Sequence, residues 1–388
     1  MNTAADQVGR DTASIIDGGE LSGVSTESGQ SARPAQPTQV VGSAEHLLGL
    51  LSRSRPRPST TSNTIVSRVI RLSQLRVEHG PAVAVLRLAR DRRGAEQLHK
   101  QRQVIAEIAS HPGLDQGWRE LLPQVLAFDE RHDATVMVES YRPGIDLAEV
   151  LASHPGRFGE LTAAALGAIA PLHRTTERLI VVDNICSVGQ WVVEPMAELA
   201  RIYRQVNPRL VPGLERLEVL LGQALVGRRM AVSWTHGDYT PDNVRLAGPQ
   251  GPVNRIVGWG DARGDRLALI DVYLLILTAS CRAEGADLGS IVSRRLEAGG
   301  LSDSERKALH AGHARSGTKV SESAPIDERL AILLAWLNHA AASLRKSAGS
   351  PARDNWLAVN VTPVLDAVAT WRGFDVETRR AATRTGHR

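Results

Sequence analysis

The sequence predicts an α+β protein with two lobes, a small antiparallel-sheet N-lobe followed by a large helical C-lobe. Three observations lead to this prediction. Residues 64–142 are rich in β-branched side chains that alternate with polar ones, which is typical of half-buried strands. After Pro143 and Gly144 the apolar residues recur at helical spacing. Near the middle of the chain, strand-like segments flank a polar loop, "HGDYTPDNVRL" at 236–246.

Composition divides the 388 residues into three parts. Residues 1–58 are mostly Ser, Thr, Gly, Gln and Pro, which predicts a disordered tail with one short helix and a linker. Residues 59–142 form the predicted N-lobe, and residues 143–388 form the predicted helical C-lobe, which carries the polar loop.

Within the N-lobe, "TIVSRVIRLSQL" and "PAVAVLRLA" predict two antiparallel strands joined by a polar turn. The stretch 95–110 follows as a helix, because Leu98, Ile105 and Ile108 fall on one helical face. Residues 123–141 then predict a second pair of strands around a turn. These segments together make a four-stranded sheet with one helix.

In the C-lobe, helical periodicity covers residues 146–153, 161–179, 191–206 and 327–346. The apolar stretch 267–281 holds Asp271 and predicts a buried helix. A buried carboxylate must be hydrogen-bonded, so we expect Asp271 to accept bonds from backbone amides of the polar loop. Residues 282–325 are polar and are interpreted as loop-like.

The bulk composition excludes several classes of protein. Aromatic residues make up 4% of the chain, too few for the stacking surfaces that bind single-stranded nucleic acid, and no nucleic-acid motif is present. The two cysteines, Cys186 and Cys281, do not predict a disulfide framework or a zinc site. The start of the chain lacks an apolar signal segment, and residues 267–281 are too few to span a bilayer. We therefore expect a cytoplasmic protein without nucleic-acid or membrane partners.

Two motifs carry a family resemblance over about residues 60–375. They are "HGDYTPDN" at 236–243 and, downstream, "IVGWGDARGD" at 256–265 followed by "IDVYLL". Together they resemble the aminoglycoside phosphotransferase and choline kinase-like family. The resemblance implies a protein-kinase-like fold, ATP and magnesium as cofactors, and a small-molecule hydroxyl acceptor.

The resemblance also implies roles for the loop residues. Asp238 stands at the position of the catalytic base, which accepts the proton of the acceptor hydroxyl. Asn243 stands at the position of a magnesium ligand, and His236 at that of a residue that braces the loop. Tyr141, in the segment between the lobes, would pack against the adenine of ATP.

Three residues depart from the family pattern. Gly258 replaces the aspartate that binds magnesium in the family, and glycine offers no ligand. Arg87 replaces the phosphate-binding lysine, and a planar guanidinium is not equivalent to an ammonium group. Gln101 replaces the glutamate that pairs with that lysine, so the ion pair is expected to become a hydrogen bond. Asp261 could supply the missing metal ligand from a shifted direction, and Gly258→Asp would be expected to restore tighter, metal-dependent ATP binding.

Two functions follow from these residues, with a third behind them. The first is ATP-dependent phosphoryl transfer to a hydroxyl of a small molecule, with an altered metal site. The second is a pseudokinase that binds a nucleotide, a metabolite or a protein partner without turnover. The third is an interaction module that no longer binds nucleotide. The sequence does not specify an acceptor.

Overall fold

The computed structural model describes residues 65–77, 80–131, 134–316, 326–346 and 353–370. The predictions for residues 1–58 lie outside these residues. Contacts divide the chain into two compact units. Among the described residues, the first unit comprises those up to Lys100 together with Pro123–Arg142, and the second comprises Gln101–Leu122 and those from Pro143 onward.

The first unit is built on a four-stranded antiparallel sheet in the order β1-β2-β4-β3. Its strands are β1 Ile65–Val77, β2 Gly80–Ala89, β3 Val125–Arg131 and β4 Ala134–Ser140. Strand alternation sends Val136 and Val138 to one face, where they pack with Leu86, and sends Met137 to the other. Met137 packs there with Leu98 of helix α1, Arg92–Ser110. The predicted strands and helix are confirmed.

The second unit is mostly helical, as predicted. After α1 its helices are α2 Gln116–Arg119, α3 Leu147–Ser153, α4 Phe158–Thr175, α5 Glu194–Val206, α6 Val211–Leu225, α7 Ala268–Glu284, α8 Leu288–Glu297, α9 Asp303–Ser316, α10 Glu328–Lys346, α11 Arg353–Asn360 and α12 Thr362–Thr370. Helix α10 packs against α7 and α5, and its apolar residues are almost all buried. Within the described residues, no helix combines the length and the apolar character needed to cross a bilayer.

Two small antiparallel sheets interrupt these helices. One has the order β10-β7-β6, and the other has the order β5-β8-β9. Their strands are β5 Ile145–Asp146, β6 Arg178–Val181, β7 Arg229–Thr235, β8 Val244–Leu246, β9 Val253–Ile256 and β10 Arg263–Leu267. The polar loop therefore runs from the end of β7 to the start of β8, so each end of it is fixed in a different sheet.

Two segments differ from the sequence prediction. The helix predicted over 161–179 ends at Thr175, and residues 178–181 instead form β6, paired with 229–232 of β7. The supposed loop at 282–325 contains helices α8 and α9, because Ile291, Val292 and Leu296 recur at helical spacing and are buried. In the first segment, pairing with β7 overrides a local helical pattern, and in the second a short helical pattern lies among many polar residues.

Candidate active site

One buried carboxylate holds the backbone of the polar loop. Asp271, in the first turn of α7, is fully buried. It accepts hydrogen bonds from the backbone amides of His236 (2.6 Å) and Gly237 (2.9 Å). The Nε2 atom of His173 lies 3.0 Å from the same carboxylate. These contacts confirm the role predicted for Asp271, and they fix the loop backbone just before Asp238.

His236 braces the loop from within. Its ring is fully buried, with Nε2 2.8 Å from the carbonyl oxygen of Val257 and with Nδ1 accepting the backbone amide of Asp238. Burial holds the pKa of His236 below its usual value, despite the nearby carboxylates of Asp271 and Asp238. The neutral His236 ring forms its hydrogen bonds with backbone groups and so supports the loop, as the sequence indicated.

Gly237 lets two loops approach closely. Its φ is +79°, in the left-handed region that glycine adopts most readily. A Cβ atom at this position would overlap the backbone carbonyl of Asp261. The segment Trp259–Asp261, a short 3₁₀ turn, is thereby brought against the loop that carries Asp238.

Asp238 is engaged on both carboxylate oxygens. The Nδ1 atom of His339 lies 3.3 Å from Oδ1, and Lys346 Nζ donates to Oδ2 at 2.7 Å. The same ammonium group lies 2.9 Å from Asp261 Oδ2, so Lys346 bridges the two aspartates. Burial acts to raise the pKa of Asp238, but the Lys346 charge and the His339 contact outweigh it and hold that pKa well below its usual range.

Asn243 and Gly258 lie against each other. Asn243 Nδ2 donates to the backbone oxygen of Asp238 at 2.8 Å, which turns Oδ1 toward Gly258. Gly258 has φ +84°, and a Cβ there would lie 2.6 Å from Asn243 Oδ1. The space in which the family's aspartate side chain would begin is therefore filled.

The donors at this site do not fit a magnesium ion of the expected kind. Position 258 has neither a ligand nor room for one, and the carboxylates of Asp238 and Asp261 already share the Lys346 ammonium group. Among the described residues, no group of three or more His, Cys, Asp or Glu side chains is arranged to hold a metal ion. Magnesium prefers near-octahedral oxygen ligation, and Asp261, the carboxylate expected to contribute to it, is paired with Lys346 instead.

In the first unit, Arg87 keeps an ion pair. Its Nε donates to Glu139 Oε2 at 2.8 Å, on the same face of the sheet, and the Glu139 side chain is only 3% exposed. From the sequence we considered a partner only at the helix position of Gln101, whereas the carboxylate that pairs with Arg87 comes from strand β4. Tyr141, just beyond that strand, is exposed. In the second unit, Gln101 is buried with its Oε1 beside Gly260.

The sequence interpretation missed Lys346, His339 and Glu139. One signal was present for the first two. His339, Ser343 and Lys346 follow one another at helical spacing along one face of α10, whose other residues between 330 and 344 are apolar except for Asn338. His339 Nε2 also lies 3.4 Å from the Ser343 hydroxyl. A polar stripe on a buried helix indicates a polar partner, although the sequence does not show which one.

A small antiparallel sheet with a helix, a large helical unit, and an HxD…N loop fixed by a buried aspartate define the class of protein-kinase-like folds. The chain belongs to the phosphotransferase enzyme family, whose profile matches residues 70–309.

Solved structures similar to the chain include several aminoglycoside phosphotransferases. APH(3'')-Id from Streptomyces rimosus is 17% identical, over 77% of this chain and 98% of its own, with a TM-score of 0.43. An aminoglycoside-3'-phosphotransferase of type VIII is 15% identical, over 76% of this chain and 98% of its own, with a TM-score of 0.44. APH(2'')-IIa, in a complex with streptomycin and ATP, is 10% identical, over 85% of this chain and 96% of its own, with a TM-score of 0.45. Comparison with curated proteins finds no match.

Proposed function

We propose that this protein transfers the terminal phosphoryl group of ATP to a hydroxyl group of a small molecule. The observation that carries this proposal is the preformed loop, in which Asp271 holds the backbone at His236 and Gly237 and so positions the Asp238 carboxylate. Family membership supports it. Phosphoryl transfer requires of a protein mainly that it position the reacting groups and stabilise the developing charge, and the loop supplies the first of these.

In this proposal Asp238 orients the acceptor hydroxyl and accepts its proton as the hydroxyl oxygen bonds to phosphorus and ADP leaves. A carboxylate oxygen accepts more than one hydrogen bond, so the acceptor can share Oδ1 while Lys346 holds Oδ2. The low pKa of Asp238 suits an orienting role, because the transition state is loose and the proton moves late.

We also propose which residues contact the nucleotide. Arg87 would contact the phosphates of ATP, with its guanidinium held by Glu139. Tyr141 would pack against the adenine ring. Gln101 would support the nucleotide site through the turn at Gly260, beside which it is buried.

The charges around Asp238 favour a neutral or anionic acceptor. The Lys346 ammonium group offsets one of the two negative charges of Asp238 and Asp261, which would otherwise attract a cation. Arg266 is buried near Asp261, and burial and the positive charges of Arg263 and Arg345 lower its pKa. An aminoglycoside carries several positive charges and would gain little electrostatic attraction here. We therefore propose a polyol or a hydroxy acid as the acceptor class.

A second candidate function is a pseudokinase that binds nucleotide or a partner without turnover. The observation that favours it is the combination of Gly258, which cannot bind metal, with an ammonium group that already occupies Asp238 and Asp261. An experiment on Asp238 separates the two candidates.

Asp238→Asn should lower phosphoryl transfer by roughly 10²–10⁴-fold, since the amide cannot accept the hydroxyl proton. ATP consumption would be measured with streptomycin, with neutral polyols and with hydroxy acids. Asp242→Asn is the matched control, because Asp242 lies in the same loop but its carboxylate pairs with Arg282 at the surface. Retained activity in Asp238→Asn would contradict the assigned base. No consumption above background with any acceptor, in wild type as well, would support the pseudokinase.

A further inference from the structure

Lys346 is the last residue of α10, and its side chain turns back into the site. The ammonium group is 2.7 Å from Asp238 Oδ2 and 2.9 Å from Asp261 Oδ2, both normal lengths for a charge-assisted hydrogen bond. Asp238 and Asp261 come from two different loops. One positive charge therefore joins the two loops that form the candidate active site.

The two aspartates need such a charge. Two carboxylates that share one partly buried position cannot both be ionised at low cost unless a cation lies between them. Asp238 and Asp261 are 16% and 29% exposed at the side chain, so water alone does not screen them fully. In a metal-dependent site a divalent ion offsets both negative charges, and in this chain the Lys346 ammonium group offsets one of them.

Helix α10 fixes Lys346 in this place. The preceding turns are packed into the second unit, with Ala340 and Ala341 fully buried and Leu344 nearly so. A cation in the last turn of a helix is also stabilised by the helix dipole. His339, two turns earlier on the same face, contacts Asp238 as well. The backbone of Lys346 is therefore anchored by a packed helix, while its side chain is 46% exposed.

We propose that Lys346 is a built-in cation that takes the place of a divalent metal ion at Asp238 and Asp261. The glycine at position 258 then has a physical explanation. Because Lys346 of α10 supplies the positive charge, a third carboxylate at position 258 would add negative charge without a cation to balance it. This inference goes beyond the proposed function, because it concerns which cation the site holds and applies to an active enzyme and to a pseudokinase alike.

The test measures binding of Mn²⁺ alone, by isothermal titration and by the electron spin resonance of free Mn²⁺. The variants are Lys346→Met, which shortens the side chain by one atom and removes its charge, and the double variant Lys346→Met with Asp261→Asn. Lys307→Met is the matched control, since Lys307 is an exposed lysine on α9. Asp261→Asn alone completes the set.

We expect Lys346→Met to bind Mn²⁺ at least about tenfold more tightly than wild type and Lys307→Met, as two freed carboxylates attract a divalent ion. The gain should vanish in the double variant. Lys346→Met should also melt at a lower temperature than wild type, and Mn²⁺ should raise its melting temperature more than it raises that of wild type.

Three results would overturn the proposal. One is no gain of Mn²⁺ affinity in folded Lys346→Met, and another is a gain that persists in the double variant. The third result does not depend on how well Lys346→Met folds. It is that the wild-type protein binds Mn²⁺ and that the Asp261→Asn variant does not. In that case the metal would already use the carboxylate assigned to Lys346.

Discussion

At the residue scale, Gly258 decides how the site can be altered. Its left-handed backbone disfavours other residues, and the Cβ position lies 2.6 Å from Asn243 Oδ1. Asn243 cannot turn away freely, because its Nδ2 bonds to the backbone of Asp238. The sequence suggested that Gly258→Asp would restore a metal site. The structure instead indicates that any side chain here displaces Asn243.

We therefore predict that Gly258→Ala and Gly258→Asp each lower the free energy of unfolding by about 1–2 kcal/mol, the usual cost of a left-handed residue. The aspartate should cost less strain, since Asp tolerates this conformation better than Ala. ATP binding with Mn²⁺ should be no tighter in Gly258→Asp than in Gly258→Ala. Urea unfolding and calorimetric titration provide the measurements, and a tenfold advantage of the aspartate variant would refute the steric argument.

At the element scale, strands β2 and β4 are joined by a charge pair as well as by their backbone. Arg87 lies opposite Met137 in the register, which places Glu139 two residues along the same face. Side chains in this diagonal relation are within reach when they are long. The Glu139 carboxylate is almost fully buried and the Arg87 side chain is 20% exposed, so neither charge is well hydrated.

Glu139→Gln should lower the free energy of unfolding by about 2 kcal/mol, because it leaves the Arg87 guanidinium without its carboxylate in a poorly hydrated place. Glu96→Gln is the matched control: Glu96 pairs with Arg92 across one helical turn, but both side chains are exposed. That variant should change stability little. Equal effects of the two substitutions, measured by urea unfolding, would mean that burial of the Arg87 pair contributes nothing.

At the scale of the whole molecule, the remaining question is whether ATP binds and whether a metal ion matters. If the Lys346 ammonium group takes the place of a metal ion, ATP should stabilise the protein with EDTA nearly as well as with Mn²⁺. At a hundredfold excess over Kd the stabilisation is about 2.7 kcal/mol, which corresponds to several degrees in melting temperature.

A thermal melt with ATP, with ADP and without nucleotide, each in EDTA and in Mn²⁺, makes the measurement. A shift that appears only with Mn²⁺ would show that the site depends on metal after all. No shift under any condition would leave an interaction module as the function of the fold. Lys307→Met should behave as wild type throughout.

Much of this molecule was determined by the sequence alone. Alternating β-branched residues predict the four strands of the first unit, since each strand must send every second side chain to the core. The polar loop and the buried helix with Asp271 are each short local patterns. The hydrogen bonds of Asp271 followed from them because a buried carboxylate has to find donors.

Only the tertiary structure decided the charges of the site. Lys346 lies 108 residues from Asp238 in the chain, and Glu139 lies 52 residues from Arg87. No local periodicity links such partners, because their approach depends on how whole helices and strands pack. The same holds for β6, whose strand character exists only through its pairing with β7. A sequence pattern shows which side chains face inward, and the packing of the elements decides which side chains they meet.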